Sequence, residues 1–425
     1  MTTALPEKLR DLQLAVHGQP QALLTKQSIY SLVYEAQARH QVGLGLPIAD
    51  RVFQDGDLFA ALDMNLPEGY LFERILARFG KFQVSKMHLL ALMGAGAIGR
   101  VAYQMPGEAP LGAGAGGLVS RDDLLAGGRS EALFEELVDA FMGPGTGLAG
   151  VQPKIMVPVA DKAVVPGPNV IVKAEGPRYL GLSANEWLCL EAARHAGLPV
   201  PRADLSADGK LLVLDRFDIL PDGSRLGFED IAAVMQLRVR ERLSSRKYIG
   251  SYEDVAAALR LVCSEPAPAL HQFFKLLVLT VLVRNGDAHL KNFAVLYDDD
   301  RVWPSPVYDQ VTTVLYPYER PGGIETVDHT LALKWRRGGR SGDKSPARSY
   351  PTRAELEAFG RDVCGVHHPG AVIEHSCEAM SAALAAPHPA VPAELLQRMV
   401  QVWDGSRAWM RVERAGSAAR REPRA

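Results

Sequence analysis

Two acidic residues and an asparagine in the second half of the chain have the types and spacing that phosphoryl transfer requires. Asp287 and Asn292 lie five positions apart in the segment NGDAHLKN, and Asp309 follows 17 residues after Asn292. A phosphotransferase needs a carboxylate to orient the acceptor hydroxyl and oxygen ligands for magnesium on nearby segments. The D-x-x-x-x-N spacing is typical of such a catalytic loop. The alternative interpretation is an ordinary solvated loop, since loops are rich in Asn, Gly and Asp.

Upstream residues could serve the phosphates of a nucleotide. Lys173 closes the apolar strand pattern that begins at Asn169, and Glu186 follows near the start of a predicted helix. Enzymes of this kind place a strand lysine on the phosphates and hold it with a helix glutamate. Ser183-Ala-Asn-Glu186 is also a capping box, so both roles of Glu186 stay open. The glycine-rich stretch 143–154 has backbone amides that can approach phosphate closely, although it is neither GxGxxG nor a Walker A sequence.

The elements that must position these residues change in character along the chain. The first part is β-rich, with strands at 12–16, 22–24 and 28–34 and a hairpin turn at 17–21, followed by a helical period over 57–93. A glycine-rich linker at 106–117 and a helix at 129–142 come next. The middle is mixed, with strands at 151–159, 169–173 and 210–215 and a helix at 183–196 that stops at Gly197. From 228 onward helices dominate, apart from short strands at 293–297 and 307–315.

Composition places the chain among globular proteins that act in the cytoplasm. It has 425 residues, 47% hydrophobic and 23% charged, which predicts a soluble protein of two or three domains. The net charge of −2 gives no strong attraction to nucleic acid or membrane. Four cysteines in so long a chain favour a reducing compartment. The N-terminus has no apolar signal core, and the run 276–283 predicts a buried helix rather than a membrane span of ~20 residues.

Taken together, these segments resemble the HipA-like serine/threonine kinases, the toxin components of bacterial toxin–antitoxin pairs. The resemblance covers nearly the whole chain. The matching segments, in chain order, are His17-Gly-Gln, Gly45-Leu-Pro47, Asn65-Leu-Pro-Glu-Gly69, Leu148-Ala-Gly-Val-Gln-Pro-Lys154, Val172-Lys173, Ala184-Asn-Glu-Trp187, Asp215-Arg-Phe-Asp218, Phe228-Glu-Asp230, Lys247-Tyr248, Asn285 to Asn292, Tyr308-Asp309 and Leu331-Ala-Leu-Lys334. Their shared order makes the resemblance specific.

The resemblance implies an α+β fold in which a small β-rich N-terminal subdomain precedes a bilobal protein-kinase-like fold with a mostly helical C-lobe. The predicted divisions are an N-terminal subdomain at 1–110, a linker and helix at 111–143, a kinase N-lobe at 144–218, a helical C-lobe at 219–415 and a disordered tail at 416–425.

The resemblance also implies residue roles. Asp287 would be the catalytic base, and Asn292 and Asp309 would hold Mg²⁺. Lys173 would contact the α- and β-phosphates of ATP. The remaining residues implied at the nucleotide are Ala149, Gly150, Val151, Gln152, Pro153, Lys154, Asp215, Arg216, Phe217, His289, Leu290, Lys291, Asn292 and Tyr308.

The family carries implications about regulation and partners. Its members often have a serine just ahead of Ala-Gly-Val-Gln, where autophosphorylation silences the kinase; here the position is glycine, and Thr146 is the nearby candidate acceptor. The usual partner is a small helix-turn-helix antitoxin (HipB-like) that also binds operator DNA. The usual protein substrate is an aminoacyl-tRNA synthetase, whose phosphorylation stalls translation and produces dormancy. DNA would be reached only through the antitoxin, and no membrane is implied.

Two other functions remain as alternatives. One is a small-molecule phosphotransferase of the aminoglycoside type, which shares the D-x-x-x-x-N loop. The other is a catalytically silent kinase fold that acts as a corepressor or scaffold. Two further features favour ordinary structural interpretations. The cluster Cys364, His367, His368, His375 and Cys377 lacks a standard zinc spacing. The stretch Arg336–Arg340 is typical of a solvated loop rather than a phosphate site.

Overall fold

The computed structural model describes residues 6–67, 69–78, 83–109, 119–141, 154–157, 169–239, 241–320, 324–338 and 348–418. The α+β class predicted from the sequence is confirmed. The chain divides into two compact units. The first contains Met1–Ser183, Pro201–Lys247 and Ala294–Val302, and the second contains Ala184–Val200, Tyr248–Phe293 and Trp303–Ala425. The five-part division predicted from the sequence is finer and stays a prediction.

The described elements up to residue 200 are β1 (Asp11–Val16), β2 (Gln19–Lys26), β3 (Tyr30–Tyr34), β4 (Val52–Asp55), α1 (Ala60–Asp63), α2 (Gly69–Arg78), α3 (Lys86–Met93), β5 (Val101–Gln104), α4 (Arg121–Leu125), α5 (Ser130–Phe141), β6 (Lys154–Val157), β7 (Val170–Ala174) and α6 (Leu182–His195). Those that follow are β8 (Ala203–Leu205), β9 (Leu211–Asp215), β10 (Gly227–Asp230), α7 (Ile231–Val234), α8 (Tyr252–Val262), α9 (Pro266–Leu282), β11 (Ala294–Tyr297), β12 (Val302–Pro304), β13 (Tyr318–Arg320), β14 (Ile324–Thr326), α10 (Arg353–Asp362), α11 (Pro369–Ala385) and α12 (Ala393–Ala418).

The first unit begins with an antiparallel sheet in the order β4-β3-β2-β1-β5. Its first hairpin turns on two residues, His17 and Gly18, whose φ angles are 51° and 72°. Two positive φ angles match the twist of the flanking strands, so Val16 pairs directly with Gln19. The predicted hairpin is confirmed, with a shorter turn than 17–21. Leu12 and Leu14 alternate onto the buried face and anchor the core of this unit.

A second sheet of the first unit, in the order β6-β7-β9-β8, carries Lys173. The central strand β7 is buried at every position from Val170 to Ala174. Such a strand normally consists of apolar residues, because both of its faces are covered. Lys173 is the exception. Its backbone lies opposite Lys154 of β6 and Leu212 of β9 in the sheet, and only 2% of the residue is exposed. A buried ammonium group in a central strand is costly unless it is paired, so Lys173 departs from the apolar pattern of the strand.

Helices form most of the described second unit. The apolar run predicted as a buried helix forms the last part of α9, which starts with Pro266 in its first turn. α8 begins at a capping box in which Ser251 and Asp254 satisfy each other's backbone amides. α6 ends as predicted, because Gly197 adopts a φ of 69° and the Leu198 amide donates to the Ala193 carbonyl.

Two local predictions are wrong. The stretch 307–315 contains no strand; it ends in a 3-10 turn at Thr313–Leu315. The positive φ of Asp309 breaks the extended path there. Two side chains of α6, Glu186 and Asn185, accept from the backbone amides of this stretch. The helical region predicted from 228 begins instead with β10, which pairs antiparallel with β11. That pairing joins residues 64 to 70 positions apart, which no local pattern reveals.

Four other features of the described residues concern membrane helices, metal-binding groups, the Cys364 thiol and the arginines at 336 and 337. No helix in the described ranges has the length and hydropathy needed to cross a bilayer. Within those ranges, no three His, Cys, Asp or Glu side chains are grouped so as to hold a metal ion. Burial raises the pKa of Cys364 to about 12, so its thiol stays protonated. Arg336 and Arg337 form ion pairs with Glu253 and Asp254 in the first turn of α8.

Gly227→Ala is expected to destabilise the first unit. A Cβ at this β10 position would lie 2.2 Å from the Tyr297 ring, and overpacking of this kind costs about 1–3 kcal/mol. The melting temperature should fall by several degrees in a thermal scan. The matched control is Gly56→Ala, where nothing lies within 4 Å of the new methyl group. Equal melting temperatures for the two variants would contradict the packing described.

Candidate active site

The loop after α9 is shaped by its own polar side chains. The Asn285 side chain accepts from the Asp287 amide at 3.0 Å, and the Asp287 carbonyl accepts from the His289 amide at 2.8 Å. The Asn292 Oδ1 then accepts from the His289 amide at 3.1 Å. This chain of short bonds fixes the backbone from 285 to 292, so the separation of Asp287 and Asn292 is set by a rigid loop.

Glycine is required at the second position of this loop. The Gly286 amide donates to the Thr313 hydroxyl at 2.7 Å, and the same hydroxyl donates to the Arg284 carbonyl at 3.0 Å. A Cβ at position 286 would lie 2.7 Å from the Thr330 carbonyl oxygen. The backbone at Thr330 therefore packs directly against the loop, and no side chain fits between them.

Asp309 lies on a second loop that is joined to the first by Asn285. The Asn285 amide nitrogen donates to the Asp309 carbonyl at 3.4 Å and to the Gln310 Oε1 at 3.2 Å. The Gln310 Oε1 also accepts from the Thr280 hydroxyl of α9 at 3.2 Å. Asn285, Gln310 and Thr280 are each no more than 1% exposed. A buried amide network of this kind holds two loops in one relative position.

The backbone of Asp309 is held in an unusual conformation. Its φ is 52°, in the left-handed region that non-glycine residues rarely adopt. Its amide donates to the Glu186 carboxylate at 3.1 Å. The predicted capping box is wrong, because α6 begins before Ser183 and the Ser183 hydroxyl donates to the Lys210 carbonyl. The Glu186 carboxylate is bonded to the Asp309 loop. The ion pair predicted for it stays a prediction.

Side chains of elements distant in sequence form hydrogen bonds to the Asp309 loop. The Asn185 side chain bonds both backbone groups of Thr312, at 2.9 Å to its amide and 3.2 Å to its carbonyl. Trp403 of α12 is fully buried, and its indole N–H donates to the Thr312 hydroxyl at 2.9 Å. Arg398 of the same helix donates to the Leu315 carbonyl. Side chains of α6 and α12 thus replace the strand pairing that residues 307–315 lack.

Three further bonds complete the surroundings of the first loop. The Tyr248 hydroxyl donates to the Asp287 Oδ1 at 2.8 Å, and the Tyr308 hydroxyl donates to the Lys291 carbonyl at 2.8 Å. The Tyr252 hydroxyl donates to the Ala288 carbonyl at 3.1 Å. Burial, followed by the charge of Asp287, raises the pKa of Tyr248, so its phenol remains a donor. Asp287, Asn292, Asp309, Glu186 and Tyr308 all belong to the second unit.

In the first unit, the segment 215–218 follows β9. The Asp215 carboxylate accepts from Arg121 of α4 at 2.7 Å. Arg216 pairs with Asp218 at 2.6 Å, and both side chains are buried. Burial by itself would raise the pKa of Asp218, but Arg216 and Arg225 hold it below its usual range. Arg216 also donates to the Ala97 carbonyl at 3.0 Å, so this side chain anchors the segment to the N-terminal part of the same unit.

The other residues predicted to contact the nucleotide lie partly in described elements and partly outside the described residues. The Phe217 ring lies 6.0 Å from that of Phe228, and Leu290 is buried in a 3-10 turn that ends at Asn292. Lys154 opens β6. Ala149 to Pro153 and the candidate acceptor Thr146 lie outside the described residues.

Comparison with known families agrees with this arrangement. A model of the HipA-like C-terminal domain matches residues 146–386, and a model of the HipA N-terminal domain matches residues 12–104. The chain therefore belongs to the HipA family, and the resemblance inferred from its sequence is confirmed.

Individual relatives are more distant. A putative kinase of Sinorhizobium fredii, Y4dM, is 33% identical over 193 residues, which cover 40% of this chain and 45% of that protein. The serine/threonine-protein kinase toxin HipA of Shewanella oneidensis is 27% identical over 196 residues, which cover 41% of this chain and 44% of that protein. The matches thus span less than half the length of these relatives.

A solved structure shares the fold across almost the whole chain. It is a chain of the Shewanella oneidensis MR-1 toxin–antitoxin complex of HipA, HipB and operator DNA. The TM-score is 0.68 at 18% identity, with 94% of this chain and 96% of that chain covered.

Reasoning from sequence missed four residues that shape the site: Asn285, Gln310, Asn185 and Tyr248. Asn285 and Asn185 lie inside motifs that carry the family resemblance, and their amide residue type in those motifs was the available signal. Gln310 directly follows Asp309, but its partner Thr280 lies 30 positions away on α9. Tyr248 lies in the Lys247-Tyr248 pair, although nothing local connects it to Asp287.

Asn285→Ala is expected to loosen both loops together. The variant removes bonds to the Asp287 amide, the Asp309 carbonyl and Gln310, and each buried group left unsatisfied costs about 1–3 kcal/mol. Amide hydrogen exchange should quicken at 286–289 and at 309–313. Thr280→Val is the matched control, because it removes one bond to Gln310 and leaves the loops joined. Unchanged exchange in Asn285→Ala would contradict the coupling.

Proposed function

We propose that the protein is an ATP-dependent serine/threonine protein kinase and the toxin of a toxin–antitoxin pair. The observation that carries this proposal is the pair of loops bearing Asp287 and Asp309, which one buried asparagine holds together. The HipA family membership and relatives named as kinases support the same reaction.

Asp287 is proposed to orient the acceptor hydroxyl. Its carboxylate accepts the hydroxyl proton as the acceptor oxygen attacks the γ-phosphorus of ATP. A new P–O bond forms, and the bond from the γ-phosphorus to the bridging oxygen breaks. ADP leaves with that electron pair. Catalysis of this kind depends mainly on positioning and charge, which is the property that the rigid 285–292 loop supplies.

Asn292 and Asp309 are proposed as the protein ligands of Mg²⁺. The donor set fits, because Mg²⁺ prefers oxygen ligands and is usually held by one or two carboxylates together with substrate phosphates. The Asn292 Oδ1 already accepts one backbone bond, and an amide oxygen has a second lone pair. Bound magnesium would neutralise phosphate charge.

The nucleotide contacts follow from the same proposal. Lys173 is proposed to contact the α- and β-phosphates, and its burial in β7 supports a bound rather than solvated ammonium. Residues 149–154 are proposed to cover the phosphates, and the backbone of 215–217 to contact adenine. His289 to Lys291 and Tyr308 are proposed to complete the site. Thr146 is proposed as an autophosphorylation acceptor.

Partners are proposed from the relatives. The solved relative is part of a complex of HipA with HipB and operator DNA, which supports a HipB-like helix-turn-helix antitoxin here. DNA would then be bound through the antitoxin. The proposed substrate is a translation-related protein such as an aminoacyl-tRNA synthetase, and the proposed compartment is the cytoplasm.

Asp287→Gln is expected to abolish phosphoryl transfer, because an amide cannot accept the hydroxyl proton. The assay incubates the protein with γ-labelled ATP and a cell extract and identifies the labelled product. Asp300→Asn, an exposed carboxylate outside the site, serves as the control and should label normally. Growth arrest on expression should disappear with labelling. Arrest that survives in Asp287→Gln would overturn the toxin-kinase mechanism.

The same assay separates the alternatives. Labelling of small alcohols but of no extract protein would identify a small-molecule phosphotransferase. Failure of the folded wild type to bind ATP with magnesium would favour a silent corepressor.

Asp309→Asn is expected to act mainly on binding. Loss of one carboxylate charge should weaken magnesium-dependent ATP affinity by about tenfold or more, equivalent to about 1.4 kcal/mol. Calorimetric titration with ATP at several magnesium concentrations measures this. ATP affinity without magnesium should change little. An equal loss with and without magnesium would argue against Asp309 as a metal ligand.

A further inference from the structure

Tyr248 lies outside the predicted machinery and contacts it directly. It ends the 3-10 turn Glu241–Tyr248, and its hydroxyl donates to the Asp287 Oδ1 at 2.8 Å. We propose that Tyr248 is a positioning residue that fixes the carboxylate of Asp287 for the acceptor hydroxyl. This inference rests on the proposed kinase function and adds a residue to it.

The phenol is anchored on several sides within the second unit. The backbone carbonyl of Tyr248 accepts from the Arg348 side chain at 2.7 Å. Its ring makes an edge contact with the His289 ring, with centroids 5.2 Å apart and planes at 78°. Gly250 turns the chain with a φ of 95°, and Ser251 then caps α8. A hydroxyl carried on so constrained a segment has little freedom to leave Asp287.

Such a constraint matters because the terminal torsion of an aspartate is soft. Rotation about χ2 is broad, so an unrestrained carboxylate points its oxygens in many directions. A donor at Oδ1 selects one orientation. A carboxylate has about four lone-pair sites, so a bond from Tyr248 is compatible with a second donor, the acceptor hydroxyl. Reaction rates depend steeply on such orientation.

The hydroxyl also remains a donor over the working pH range. Burial raises the pKa of Tyr248 above that of a free phenol, and the charge of Asp287 raises it further. The phenol therefore stays protonated and complements the carboxylate. In a blocking role, by contrast, the hydroxyl would occupy the place of the acceptor. The anchoring by Arg348 and His289 favours positioning, because a blocking group must move away.

The test is Tyr248→Phe in the full-length protein, which removes the hydroxyl and keeps the ring beside His289. We expect kcat for phosphoryl transfer to fall about tenfold. KM for ATP and magnesium-dependent ATP affinity should stay within about twofold, since the nucleotide contacts are retained. The matched control is Tyr252→Phe, which removes a hydroxyl bonded to the Ala288 carbonyl of the same loop. It should lower the melting temperature and reduce kcat less than Tyr248→Phe.

Each outcome decides the proposal. A kcat in Tyr248→Phe equal to the wild type would overturn it, and a higher kcat would show a blocking role instead. Joint loss of kcat, ATP affinity and thermal stability would show a merely structural role and overturn it as well. If the wild type labels no acceptor and equals Asp287→Gln, the kinase function itself fails, and the inference fails with it. An active wild type with an unaffected Tyr248→Phe removes only the inference.

Discussion

The buried amide of Asn285 is the interaction on which the candidate site depends. Its oxygen accepts from the Asp287 amide, and its nitrogen donates to the Asp309 carbonyl and to Gln310. Both loops that carry acidic residues are therefore hydrogen-bonded to one side chain. Because that side chain is buried, its bonds cannot be exchanged for bonds to water without exposing the core. The relative position of Asp287 and Asp309 is thus a property of the interior of the second unit rather than of two independent surface loops.

Three helices of the second unit supply hydrogen bonds to that interior polar network. Thr280 bonds Gln310 from α9, Asn185 bonds Thr312 from α6, and Trp403 bonds Thr312 from α12. Each of these bonds needs its helix in place, although the network is not fully satisfied, because the buried Gln310 Nε2 has no hydrogen-bond partner among the described residues. This explains why a region of irregular backbone is found beside three well-packed helices. The helices supply, through side chains, the partners that a sheet would supply through its backbone.

Local patterns in the sequence predicted those parts of the structure that local patterns determine. The hairpin at His17–Gly18, the buried α9 and the end of α6 at Gly197 all follow from short segments. The spacing of Asp287 and Asn292 likewise pointed to the loop at 285–292, whereas Asp309 was predicted on a strand and lies on a loop. Residues whose role is set by distant partners were missed. The pairing of β10 with β11, the bond from Tyr248 to Asp287 and the bond from Arg121 to Asp215 each join segments separated by tens of residues. Tertiary partners decided those positions, and neither periodicity nor spacing encodes them.

Asp309 illustrates a conflict between local preference and site geometry. A non-glycine residue at positive φ is disfavoured by about 1–2 kcal/mol. Two of the five non-glycine residues with positive φ in the described ranges belong to this region: Arg284 precedes the first loop, and Asp309 lies on the second. Glycine would relieve the strain at 309 but would remove the carboxylate. The bonds from Glu186 and Asn285 to the backbone of Asp309 stabilise this conformation. Strain kept at a position that bears a carboxylate is expected at a functional site, and it supports a chemical role for Asp309.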